Sequence, residues 1–139
     1  MSETGIEEYL KEHGTLTYRN VGTSMMPLLK QGRDVFTLSK KTSERCKKND
    51  VALYKRSDHV YVLHRIVDVR EDDYVFLGDN CVSREYGIRD EDIIGVVTTF
   101  VHKGKQVSVD DPGYRLYVWI WSHTTGLRTL LKRIVGKLR

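Results

Sequence analysis

Ser24 stands between a glycine and a proline in Gly22-Thr23-Ser24-Met25-Met26-Pro27, directly after the apolar alternation of Leu16, Tyr18 and Val21. Glycine admits dihedrals that other residues avoid, and proline fixes φ while steering its predecessor away from helix. Such a segment can project a hydroxyl from a strand end at a fixed angle. A serine hydroxyl alone is a poor nucleophile and needs a base from elsewhere in the chain. On spacing alone, a Ser/Thr turn opening a short helical piece is the preferred account, because serines in Gly/Pro turns are common.

The best base is His64. In the stretch 60–69 the strand period places Val60, Val62, His64 and Ile66 on one face, with His64 its single polar group. In a partly dry site desolvation favours neutral imidazole, the form that accepts a proton. A core histidine with a satisfied hydrogen bond has the same signature. Arg65 falls on the opposite face. His13, His59, His102 and His123 sit at a helix end, at turns and in a Ser/Thr/Gly linker, which are weaker settings. Asp79, in Gly78-Asp79-Asn80, and Glu85 six residues later offer carboxylates, and a Gly-Asp-Asn turn is also an ordinary structural element.

The elements that must hold these groups are mostly strands. Segments 15–21, 34–38, 51–55, 60–69, 74–77 and 93–101, and one near 106–109, are rich in Val, Ile, Tyr, Phe and Thr. Arg70-Glu71-Asp72-Asp73 and His102-Lys103-Gly104-Lys105 read as hairpin connections, and 40–49 as a charged loop. A short helix over 4–13 with Ile6, Tyr9 and Leu10 on one face stops at Gly14. The expected architecture is mainly β, a coiled antiparallel sheet with barrel-like closure. It forms one domain over 1–111, with its core at 15–109.

Residues 112–139 change character: aromatic 114–121, polar 122–126, then Leu127, Leu130, Leu131, Ile134, Val135 and Leu138 at helical spacing with Arg and Lys on the other face. Either a membrane interface or the β core fits such a helix. Six basic and no acidic side chains lie in 113–139, leaving 17 basic against 19 acidic in the remainder, so the net charge of +4 is concentrated there. That favours a local anionic partner. The β region is slightly acidic and lacks a basic stripe, which ranks nucleic acid last among partners.

With 139 residues, 40% hydrophobic and 30% charged, the chain suits one globular domain. Cys46 and Cys81 give neither metal spacing nor a disulfide framework, so neither metal nor cofactor is expected. The acidic N-terminus is unlike a secretory signal, and the longest apolar run falls far short of the ~20 residues of a span. The expected location is the cytoplasm, with peripheral contact at the inner membrane face through 113–139.

Taken in order, Ser24-Met25-x-Pro27, Asn49-Asp50-Val51-Ala52, His64-Arg65-Ile66-Val67, Gly78-Asp79-Asn80 and Gly95-Val96-Val97 resemble the signal-peptidase family of serine peptidases over roughly residues 16–101. Histidine in place of the lysine of many bacterial members resembles the Ser–His subclass. The resemblance implies a β-rich peptidase core with Ser24 as nucleophile and His64 as general base. The subclass's aspartate corresponds to Glu85, with Asp79 as the fallback third member. Met25, Met26 and Pro27 would help wall the substrate site. The chain departs from the family in having no span and in reading Gly32-Arg33-Asp34 and Asn49-Asp50 where Gly-Asp is usual. Self-cleavage is disfavoured, since the single alanine, Ala52, precedes Leu53. The expectation is therefore a serine endopeptidase acting in trans on a leader or signal-like peptide, such as that of a ribosomally made peptide. A non-catalytic peptide-binding module on the same fold is the alternative.

Overall fold

The structure, a computed structural model, describes residues 3–19, 25–30 and 33–138. Helix α1 (Glu3–His13) precedes β1 (Thr15–Arg19), β2 (Val35–Lys40), β3 (Val51–Lys55), β4 (Tyr61–Val69), β5 (Tyr74–Leu77) and β6 (Glu85–Ile88). A 3₁₀ turn (Asp90–Asp92), β7 (Ile93–His102), β8 (Lys105–Ser108) and α2 (Pro112–Leu138) follow. Gly14, at φ +79°, ends α1 with its N–H on the Leu10 carbonyl at 2.8 Å. This is the left-handed stop that glycine adopts without a Cβ clash.

All pairings are antiparallel, in the order β1-β2-β7-β3-β4-β5-β6, with β8 also on β7. The long strand β7 is the axis: β2 runs along one edge, while β3 pairs with its first half and β8 with its second. At Gly95 an added Cβ would lie 3.0 Å from the Ser39 carbonyl oxygen, so only glycine lets β2 approach this closely. The sheet stays open. The expected barrel-like closure is corrected: β1 and β6 end opposite edges of the strand order, and β7, inserted between β2 and β3, spreads the sheet.

Alternation along the central strands supplies two apolar faces. Val51 and Leu53 of β3 join Leu16, Phe36, Leu38, Val97 and Phe100 under Ile6 and Leu10 of α1 and Tyr114 and Val118 of α2. Ala52 and Tyr54 join Val62, Ile66, Tyr74, Phe76, Ile88 and Ile93 on the other face, covered by Cys46.

The 27 residues of α2 form one continuous helix. The segment 122–126, expected as a linker, is part of the helix: Trp121 and Thr125 are buried on its inner side, and its hydroxyls are satisfied by carbonyls one turn back. Thr124 donates to the Ile120 carbonyl at 2.7 Å and Thr125 to that of Trp121 at 2.8 Å. One stripe, Tyr114, Val118, Trp121 and Thr125, is buried. Arg128 and Lys132 continue that inward stripe, Arg128 donating to the Asp79 carbonyl at 3.1 Å and Lys132 to the Asn80 carbonyl at 2.6 Å. Leu116, Trp119, Ile120, Leu127, Leu131 and Ile134 lie opposite and are exposed. Part of the expected basic outer face thus turns inward, and the outer face is apolar.

Near the β7–β8 hairpin, the fully buried Asp34 accepts hydrogen bonds from Arg33 Nε at 2.8 Å and from the N–H groups of Lys30 and Lys103 at 2.9 and 3.2 Å. The Arg33 hydrogen bond, and then the backbone donors, hold its carboxyl well below the usual range despite burial. A depressed carboxylate stabilises the fold above its unfolded pKa of about 3.9, and this contribution fades as pH falls further. Asp34→Asn should therefore cost about 1–3 kcal/mol at neutral pH. Urea unfolding of both proteins at pH 7 and pH 3 checks this, with the difference shrinking at pH 3.

Candidate active site

His64 lies on β4 opposite Ala52 of β3, on the face carrying Val62 and Ile66. Burial pushes its imidazole below the usual histidine range; Glu85 opposes that shift and Arg56 adds to it. The ring is therefore neutral at pH 7, and the question is which nitrogen carries the proton.

The answer comes from Tyr54, two residues along β3 from Ala52. Its hydroxyl lies 3.4 Å from His64 Nδ1 and donates its single proton to Glu85 Oε2. Burial, reinforced by Glu85, pushes the phenol far up, so the proton stays on Tyr54. With that proton spent on Glu85, the Tyr54 oxygen acts as acceptor toward His64, which places the imidazole proton on Nδ1 and the lone pair on Nε2. Arg56, just past β3, fixes Glu85 by donating from Nε to Oε1 at 2.7 Å and from Nη2 to Oε2 at 3.1 Å. Against desolvation, Arg56 and Tyr54 hold the Glu85 carboxyl below its usual range. Glu85 thus acts on His64 through Tyr54.

Nε2 faces the turn 78–81, with Cys81 Sγ at 4.0 Å. This turn also carries Asp79, whose oxygens are occupied elsewhere. Oδ1 and Oδ2 accept from Arg65 Nε and Nη2 at 2.8 and 2.9 Å, and Oδ2 also accepts from Tyr117 at 2.6 Å. Arg65 and Asp79 are both fully buried side chains. The fallback third member is therefore a structural ion pair on the Arg65 side, and the place beside His64 belongs to Tyr54, backed by Glu85.

Ser24 lies outside the described residues. Its neighbour Met25 is a core residue whose sulfur accepts the Asp79 N–H at 3.5 Å, tying this segment to the turn that faces His64. Met26 is half-buried and Pro27 exposed. Both border a groove shared with Asn80, Tyr117, Trp121 and Leu131, whereas Met25 is packed in the interior. A second, smaller groove of about 140 Å³ lies beside β1, lined by Ile6, Leu16, Tyr18, Phe36, Leu53 and Leu63. Beyond it, β1 has an edge with no strand partner among the described residues.

Sequence reasoning missed Tyr54 and Arg56. Their signal was available in part: Ala52, Tyr54 and Arg56 share a parity, and β3 pairs with β4. Chemically, the arrangement offers a neutral, oriented imidazole able to take a proton from a hydroxyl or thiol. Among the described residues no cluster of three His, Cys, Asp or Glu side chains could hold a metal ion. No protein-family model, curated protein sequence or solved structure matches the chain.

Proposed function

We propose that the protein is a serine endopeptidase that cleaves a leader or signal-like peptide in trans, with Ser24 as nucleophile and His64 as general base. The observation that carries this reading is the relay from Glu85 through Tyr54 to His64 Nδ1, which leaves Nε2 as acceptor. In the mechanism, Nε2 takes the Ser24 proton as the hydroxyl attacks the scissile carbonyl, then returns it to the leaving amine. Backbone N–H groups near Ser24 stabilise the oxyanion. The substrate extends along the edge of β1 that has no strand partner among the described residues, and the groove bordered by Met26 and Pro27 takes an apolar side chain.

A peptide library read by mass spectrometry tests this. Cleavage by wild type and none by Ser24→Ala is expected. Retained binding without cleavage in both would replace the reading with a non-catalytic peptide-binding module.

No helix among the described residues is long and apolar enough to cross a membrane. We infer that α2 lies flat on the inner membrane face instead. Its outward Leu116, Trp119, Ile120, Leu127, Leu131 and Ile134 enter the interface, and Arg115 and Arg133 meet anionic headgroups. Leu127→Ser combined with Leu131→Ser and Ile134→Ser should weaken flotation with 30%-phosphatidylglycerol vesicles by ~10-fold or more. Thermal stability should stay the same, because the three side chains are exposed already.

A further inference from the structure

We propose that Cys81 is a second nucleophile of this site and a position for covalent modification by soft electrophiles, with His64 as the base that takes its proton. Cys81 Sγ is 4.0 Å from His64 Nε2, the nitrogen that the Tyr54 contact leaves as acceptor, so thiol and lone pair face each other. Both side chains are half-buried and open on one cleft of about 540 Å³, lined also by Arg56, Asn80, Ser83, Lys132 and Arg133. Its three cations favour developing negative charge at sulfur and on a departing anion. Burial pushes the Cys81 thiol up, so the thiol reacts only as its proton is removed. The neutral imidazole beside it supplies that acceptor.

With iodoacetamide, the S–C bond forms as the C–I bond breaks, iodide leaves, and the thiol proton passes through Nε2 to solvent. With hydrogen peroxide, the S–O bond forms as the O–O bond breaks. Sulfur is oxidised by two electrons to sulfenic acid, and the proton relayed by Nε2 converts the departing hydroxide to water. A cap on Cys81 then occupies the space before Nε2 and removes the base from Ser24. This last consequence rests on the Ser24–His64 reading, whereas the reactivity of Cys81 does not.

Cys46 is an internal control, buried at 7% exposure with its thiol pushed up to about 11 by desolvation. In limiting iodoacetamide at neutral pH, with both cysteines mapped by peptide mass spectrometry, Cys81 should be labelled ~10-fold or more faster than Cys46. His64→Gln should remove that advantage without changing Cys46. Equal labelling of the two cysteines in the wild type, or an undiminished Cys81 rate in His64→Gln, would overturn the proposal. Should His64→Gln unfold, which a rise in Cys46 labelling would reveal, the wild type in D₂O decides. Slower Cys81 labelling there supports proton transfer to His64, and an equal or faster rate overturns it. In a final arm the capped protein meets a serine-acylating peptide probe. Loss of Ser24 acylation supports the blocking step and persistence refutes it. Absence of acylation in the uncapped protein bears on Ser24 alone.

Discussion

Glutamine at position 64 should lower kcat/KM for peptide cleavage by ~10⁴-fold, with KM little changed, because only proton transfer is removed. In the proposed mechanism Tyr54 and Glu85 are positioning residues, and their variants should behave differently. Tyr54→Phe deprives Nδ1–H of its acceptor and breaks the relay, an expected loss of ~10–100-fold, mostly in kcat. Glu85→Gln carries a second signature, in pH. Burial already depresses the His64 imidazole, and Glu85 is the strongest influence raising it. Removing that charge should shift the acid limb of the kcat/KM profile to lower pH. An unmoved limb would mean that Glu85 serves only to anchor Arg56.

Asp79→Ala should cost the fold about 3–5 kcal/mol, the penalty for leaving a buried charge without its partner. Arg65 is wholly enclosed, with its guanidinium 5.4 Å from the Trp121 ring centroid and 5.7 Å from that of Tyr114. It also donates to Tyr114 Oη at 2.9 Å and to the Asn49 carbonyl at 2.8 Å, neither of which neutralises it. Asp79 further receives Tyr117 on its carboxylate, while its main-chain oxygen takes Trp121 Nε1 at 3.3 Å and Arg128 at 3.1 Å. Asp79 therefore takes hydrogen bonds from three residues of α2, Tyr117, Trp121 and Arg128, beside the apolar packing of Tyr114 and Val118. Arg65→Met combined with Asp79→Leu should recover most of the loss, since replacing both charges removes the desolvation cost with the attraction. Urea unfolding of the single and double variants is the measurement. A single variant within about 1 kcal/mol of wild type would show that the pair is solvated in solution.

Much of the sheet was legible because the strands alternate. Val62, His64 and Ile66 share a face as their spacing requires, and β3, β4 and β5 lie nearly where β-branched and aromatic residues concentrate. The hairpins at 70–73 and 102–105 were legible too. In the second, Lys103 and Gly104 both have positive φ, the type I′ turn expected for a tight hairpin. Strand β6 was not. Glu-Tyr-Gly-Ile has little apolar alternation, and its place depends on pairing Phe76 with Glu85. That pairing delivers Glu85 to Tyr54 and Arg56, so the relay was hidden for the same reason as the strand.

Sheet order was equally inaccessible. Nothing local in Ile93–His102 announces that it inserts between β2 and β3. In α2 the polar run Ser122-His123-Thr124-Thr125-Gly126 resembles a linker by composition, and the buried Trp121 and Thr125 that hold it to the sheet are contacts composition does not show. The amphipathic pattern did reveal an apolar stripe. It could not reveal that Tyr114, Val118 and Trp121 form a second, buried stripe opposite it.

Intact-mass spectrometry after exposure to a serine-acylating peptide probe tests the Ser24–His64 assignment most directly. Wild type, Ser24→Ala, His64→Ala and Cys81→Ser would be compared, with and without anionic vesicles. A single adduct mapping to Ser24, kept in Cys81→Ser and lost in Ser24→Ala and His64→Ala, is expected. A wild type that takes no adduct in either condition, or one whose adduct survives Ser24→Ala, would contradict a Ser24 nucleophile served by His64.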